Sequence, residues 1–158
     1  MPKLWPFGKK EEPIWPELEA LREEAKIYRP PWGTGMQPDL KKHFALTEAL
    51  RNAPASRQEA TAIELVQMAA QSIRGFRAEY DHRKAIHDYR TRKDPDEEPP
   101  MEPFRLPMHL GFQRLAINAE KAKDYGRAIE VCEEAKRQGW NGDWDKRIER
   151  CQTKAAKG

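Results

Sequence analysis

The residues best suited to acid-base, nucleophilic or metal chemistry in this chain are its four histidines and two cysteines. They are His43, His82, His87, His109, Cys132 and Cys151. His82 and His87 are five residues apart, so they do not share a helix face as an i, i+4 ligand pair would. Catalysis would need a cleft that joins His43 or His109 to a carboxylate, and the spacing indicates none. The sequence therefore predicts no metal site, no cofactor and no catalytic centre.

Phosphate binding by a glycine-rich loop is also not indicated. The segment 31–35, Pro-Trp-Gly-Thr-Gly, lacks the lysine and serine of a P-loop and does not follow a predicted strand. The chain contains no nucleophile elbow, zinc-protease helix or kinase signature. We therefore expect a protein that binds another molecule and is not an enzyme.

A basic run makes nucleic acid an alternative partner. Residues 74–93 carry seven bases and three acids, with aromatic residues between them. Such bases contact phosphates while the rings stack on nucleobases. The candidate contacts are Arg74, Arg77, Arg83, Lys84 and Arg90. Five acids and no base follow between Asp94 and Glu102. A solvated helix end, favoured by the helix dipole, and a site for an acidic protein are the other two interpretations of this run.

Composition limits the remaining classes of protein to which this chain could belong. The 158 residues have 29 bases against 26 acids, a net charge of +3, and 38% are hydrophobic. No window has the roughly 18 apolar residues of a membrane helix, and no apolar stretch of secretory length occurs at the start. Two cysteines are too few for a disulfide framework. These features predict a cytoplasmic protein.

Proline positions and apolar spacing predict the elements that carry these residues. Helices are expected over 16–30, from Pro38 to about Asn52, and over 56–92, the last either continuous or broken near Gly75. No alternating pattern predicts a strand. The predicted fold class is all-α, built from helical hairpins.

The same signals predict four regions along the chain. They are an N-terminal arm at 1–15, a helical region at 16–93, a proline-rich acidic connector at 94–107, and a helical hairpin with a capping helix at 108–158.

The segment Phe112–Cys151 carries the most informative pattern. It fits two antiparallel helices with a turn at 123–125, and a third helix after Asn141-Gly142 with Asp143 as its N-cap. This block resembles a tetratricopeptide repeat. The matching positions are Phe112, Leu115, Ala116, Ala128 and Cys132, whereas Ala119 and Trp140 depart from the pattern.

The resemblance implies protein binding, because members of this family commonly receive peptides on the concave surface of their first helices. On this chain that surface corresponds to Gln113, Ile117 and Glu120. The lysine and asparagine that hold a peptide C-terminus in some members are replaced by Gln113 and Ile117, so we do not expect carboxylate-end capture. The segment Leu106–Lys154 also resembles the C-terminal part of uncharacterised bacterial proteins.

The resemblance covers one repeat and a capping helix, and a single repeat cannot bury its own face. The N-terminal helices, a second subunit or a partner must therefore cover it. A heptad-like stripe from Ala62 to Tyr80 allows self-association. The alternative to a binding module is a hairpin that is merely a folding unit covered by the rest of the chain.

The N-terminal arm places tryptophan and phenylalanine beside prolines, in Leu4-Trp5-Pro6-Phe7 and Ile14-Trp15-Pro16. Such rings contact either a membrane interface or the helical core. Two lysines between these motifs are matched by two glutamates, which gives little attraction to lipid. We therefore predict a strap over the core and no membrane contact.

Overall fold

A computed structural model describes residues 36–96 and 99–158. The predicted arm at 1–15 and the predicted helix over 16–30 lie outside the described residues. The described part contains six helices and two short strands, which confirms the all-α fold class.

The described residues divide into two compact units. The larger unit comprises residues 36–76 and 104–158, and the smaller unit includes residues 77–96 and 99–103.

In chain order, the helices are α1 Pro38–Asn52, α2 Ala55–Gln67, α3 Ala69–Lys93, α4 Leu110–Lys121, α5 Tyr125–Gln138 and α6 Trp144–Lys157. The strands are β1 Leu106–Met108 and β2 Trp140–Asn141.

Helix α1 begins where the sequence predicts it. Pro38 occupies the first turn, where its missing N–H costs nothing. The Gln37 side chain caps the helix, since its Oε1 accepts a hydrogen bond from the Leu40 N–H at 2.9 Å. Leu40 and Leu50 then point into the core and are buried.

The predicted helix over 56–92 is two helices, and the break is at Met68 instead of Gly75. Neither proline nor glycine marks this break. Met68 is buried with Leu65, and Ala69 begins a face that packs elsewhere in the core. The break thus lets both helices bury an apolar face.

Gly75 instead marks a close approach between α1 and α3. A Cβ at this position would lie 3.0 Å from Leu40 Cγ and 2.8 Å from Gln37 Oε1. Glycine therefore allows α1 to pack directly on the backbone of α3.

The two strands correct the expectation of no strand. β1 and β2 pair in parallel, with Leu106 opposite Trp140, and β1 overlaps the end of the predicted connector 94–107. Segments of three and two residues are too short to show an alternating pattern. Leu106 and Trp140 are both buried, so the pairing serves to anchor the chain to the core.

Helices α4 and α5 form the predicted hairpin. One apolar face of this hairpin is covered by other helices of the same chain. Leu115 of α4 packs there with Leu50 of α1 and with Ala62 and Leu65 of α2. Helix α6 begins after Asp143, as predicted, but the Asp143 side chain makes no capping hydrogen bond.

In the smaller unit, residues of the predicted acidic connector contact α3. The Tyr80 hydroxyl donates to the Glu102 carbonyl at 2.7 Å, and His87 Nε2 donates to the Pro99 carbonyl at 2.7 Å. Among the described residues, no helix has the length and apolar content needed to span a membrane.

Candidate functional site

Glu120 is the centre of the most concentrated charge network in the larger unit. Its carboxylate accepts hydrogen bonds from both Nε and Nη2 of Arg150, at 2.7 and 2.8 Å. Arg147 Nη1 and Lys154 Nζ donate to the same carboxylate at 3.2 and 2.9 Å. One acid near the end of α4 thus holds three bases of α6.

This network is partly shielded from water. The Glu120 and Arg147 side chains are only 12% and 11% exposed, whereas Arg150 and Lys154 remain 44% and 45% exposed. Hydrogen bonds from Arg150, with a further contribution from Lys154, lower the pKa of Glu120 to about 2. The same bond to Glu120 raises the pKa of Arg150. The carboxylate is therefore ionised throughout the physiological range.

The bases of α6 are segregated from its acids. At 100° per residue, its five bases occupy an arc of about 100° on the helix surface. They are Lys146, Arg147, Arg150, Lys154 and Lys157. The acids Asp145 and Glu149 lie outside this arc, and Asp145 pairs with Lys136 of α5 at 2.7 Å. We call the five bases the basic stripe.

Lys123 brings a further base to one end of the basic stripe. Lys123, Lys154 and Lys157 line a cavity of about 720 Å³ together with Tyr125 and Gly126 at the start of α5. The turn between α4 and α5 thus places one lysine beside two bases of α6, and Asp124 of the same turn also lines the cavity.

The backbone of Lys123 is in the left-handed region, with φ at 61°. It occupies the position after a helix C-cap where glycine is usual. The turn is held by hydrogen bonds from Lys123 N to the Glu120 carbonyl and from Asp124 N to the Ala119 carbonyl, at 3.0 and 2.9 Å. A lysine here costs conformational energy that glycine would avoid.

The predicted partner-binding residues lie on one face of α4. Gln113, Ile117 and Glu120 fall within an arc of about 60° and are all half-buried. The buried residue Leu115 lies on the opposite side of the helix, and the buried residue Phe112 lies about 110° from the centre of this arc. The structure thus brings the three predicted residues together, with Glu120 also tied to the basic stripe.

The predicted nucleic-acid contacts do not all belong to one unit. Arg74 lies in the larger unit, whereas Arg77, Arg83, Lys84 and Arg90 lie in the smaller unit. All five are exposed. Lys84 pairs with Asp88 of the same helix at 2.8 Å, which neutralises one of these charges.

Two histidines are part of the core. His43 and His109 are 3% and 0% exposed, and their ring centroids are 5.6 Å apart. Trp140 lies beside both rings, stacked on His43 and edge-on to His109. Ser72 Oγ donates to the Met68 carbonyl at 3.1 Å, so His43 Nδ1 donates to Ser72 Oγ at 2.9 Å. His43 and His109 do come together, although no carboxylate joins them among the contacts of the described residues.

Both histidines are neutral at pH 7. Burial lowers the pKa of His43 to about 4. Burial, and then the nearby His43, lower the pKa of His109 to about 3. His109 Nδ1 accepts from the Phe112 N–H at 3.1 Å and caps α4. Its Nε2 is buried and has no hydrogen-bond partner among the described residues.

The two cysteines are also buried. Cys132 and Cys151 are both 0% exposed and occupy core positions of α5 and α6. Burial raises the pKa of both thiols, that of Cys132 to about 11. They are therefore inert as thiolates at neutral pH. Within residues 36–96 and 99–158, no group of three histidine, cysteine or acidic side chains is arranged to hold a metal ion.

Comparisons with family models, curated proteins and solved structures find no match to this chain. The resemblance to a tetratricopeptide repeat therefore stays a prediction.

The basic stripe is the part of the site that sequence reasoning missed. Its signal was present, because plotting α6 at helical spacing separates its bases from its acids. The pairing of Glu120 with Arg150 depends instead on the packing of both α4 and α6 against α5.

Proposed function

We propose that the larger unit is a non-enzymatic protein-interaction module. Its partner binds the face formed by Gln113 and Ile117 of α4 and the basic stripe of α6, which we call the α4/α6 face. Glu120 acts in this face by fixing the positions of three bases. The observation that carries the proposal is this ordered network, in which one carboxylate holds two exposed bases, Arg150 and Lys154, in a defined arrangement.

The state of the reactive side chains supports binding over catalysis. His43, His109, Cys132 and Cys151 are fully or almost fully buried in the larger unit. The pKa values of His43 and His109 lie well below 7 and that of Cys132 well above it. General acid-base and nucleophilic chemistry require groups that substrate can reach and that titrate near the working pH.

The test is affinity capture of the tagged chain from a lysate of its source cells, with and without nuclease. We expect the tagged chain to retain a protein partner both with and without nuclease. The double substitution Gln113→Ala and Ile117→Ala should abolish its retention, since these side chains form the α4 part of the α4/α6 face.

The matched control carries the substitutions Glu130→Ala and Glu133→Ala at two exposed positions of α5. This pair should retain the same protein as the unmodified chain. Equal retention by all three proteins would contradict the proposed surface. Retention that disappears with nuclease would favour nucleic acid and the candidate contacts of α3.

A further inference from the structure

We propose that the partner segment recognised by the α4/α6 face is an acidic peptide, extended and carrying several carboxylates. This inference rests on the proposed function and names the partner class for the same face. The reasons are the excess of positive charge in the basic stripe, its dimensions, and the carboxylate that it already binds.

Charge is the first reason. Within the stripe and its network, five bases are opposed by the single carboxylate of Glu120. Lys123 adds a sixth base at the cavity that it shares with Lys154 and Lys157, and Asp124 is the acid that also lines this cavity, so bases remain in excess there. This excess attracts an anionic partner and repels a cationic one.

Dimensions are the second reason. From Lys146 to Lys157 the stripe is about 17 Å long, at about 1.5 Å per residue. An extended peptide of six residues spans about 20 Å, and its alternate side chains, about 7 Å apart, point to one side. Successive turns of α6 present bases about 5.4 Å apart. Carboxylates on alternate residues of a peptide can therefore each approach a base.

The chemistry of the stripe favours carboxylates over nucleotides. Arg150 binds the Glu120 carboxylate through two parallel hydrogen bonds, a geometry that suits carboxylate and phosphate alike, so stacking is what separates the two ligands. Single-stranded nucleic acid also needs aromatic rings for stacking. The ring beside this cavity, Tyr125, packs against the core residues Ala119, Ala128 and Cys151.

Lys123 allows a variant that separates binding from folding. Lys123→Gly removes one base and also relieves a left-handed backbone conformation, so the variant should be at least as stable as the unmodified chain. A loss of binding in this variant cannot be caused by unfolding.

The experiment measures binding of a fluorescent hexaglutamate peptide to the full chain at about 0.15 M salt, by anisotropy. We expect Lys154→Glu with Lys157→Glu to weaken binding about tenfold or more, and Lys123→Gly to weaken it about threefold. Lys41→Glu with Lys42→Glu makes the same charge change at exposed positions of α1 and should leave affinity within about twofold. Hexaglutamine should not bind.

Several results would overturn the inference. The first is that hexaglutamate does not bind. The second is that the Lys41→Glu, Lys42→Glu control weakens hexaglutamate binding as much as the Lys154→Glu, Lys157→Glu variant does. The third is that a single-stranded RNA hexamer binds more tightly than hexaglutamate and that the Lys154→Glu and Lys157→Glu changes abolish this binding. If hexaglutamate fails while lysate capture still depends on Gln113 and Ile117, the interaction module stands and only the partner class is wrong. If both fail, the α4/α6 face is not the binding site.

Discussion

At the scale of single residues, Glu120 has the largest predicted effect on stability. Glu120→Gln keeps the shape of the side chain but leaves Arg147, Arg150 and Lys154 without a carboxylate. Arg147 is almost buried, so we expect the free energy of unfolding to fall by about 2 kcal/mol. Urea denaturation at pH 7 measures this. Glu133→Gln, at an exposed position of α5, should change stability by less than about 0.5 kcal/mol.

The pKa of Glu120 gives this prediction a pH dependence. Its pKa is about 2 in the folded chain against an ordinary value of 4.5. A lowered carboxyl pKa contributes stability that is complete above pH 4.5 and is lost as the pH falls towards 2. The difference between Glu120→Gln and the unmodified chain should therefore shrink below pH 4.5. Equal stability of the two proteins at pH 7 would show that the network contributes nothing.

At the scale of elements, the close packing of α1 on α3 depends on the absence of a side chain at Gly75. Gly75→Ala raises helix propensity by about 1 kcal/mol, yet its Cβ would lie within 3.0 Å of Leu40 and of the Gln37 side chain that caps α1. We expect a net loss of about 1–2 kcal/mol in urea denaturation. Gly126→Ala, in the first turn of α5, meets no atom within 4 Å and should stabilise the chain. Stabilisation by both changes would contradict the close packing of α1 on α3.

The elements also show which features the sequence could predict. The bounds of α1 and of the α4/α5 hairpin follow from local signals, namely Pro38, the turn at 123–125 and the apolar spacing. The break at Met68 could not be predicted, because it has no glycine or proline and results from the packing of two faces. The pairing of β1 with β2 was also out of reach, since it joins residues that are distant in the chain.

The same limit applies to the candidate site. Gln113, Ile117 and Glu120 were predicted as one surface from the family resemblance alone. The contact of Glu120 with Arg150 joins residues 30 positions apart. It depends on how α4 and α6 each pack against α5, which the local sequence pattern does not specify.

At the scale of the larger unit, the buried histidine pair should make stability sensitive to mild acid. The pKa values of His43 and His109 are about 4 and 3 in the folded chain, against 6.5 ordinarily. The unfolded chain therefore binds protons first, and stability that is complete above pH 6.5 is lost as the pH falls towards 4. The loss should approach about 2.7 kcal/mol per pH unit near pH 5, because two protons are involved.

Urea denaturation between pH 4.5 and 7.5 measures this slope above the range in which Glu120 titrates. Unfolding is followed through the backbone amide NMR signals of α4 and α5. His43→Phe keeps a ring beside Trp140 but removes one titrating group, so its slope should be about half as steep. A slope that is the same in both proteins would mean that His43 is not the group responsible.

At the scale of the whole molecule, the central claim is that a protein binds the α4/α6 face. The most direct measurement introduces a photo-crosslinking phenylalanine derivative in place of Gln113, irradiates the full chain in its source lysate, and identifies the adduct by mass spectrometry. A second protein carries the same derivative in place of Glu130 on α5. We predict a protein adduct at position 113 that resists nuclease and is absent at position 130. Adducts that are equal at both positions, or that nuclease removes, would contradict the claim.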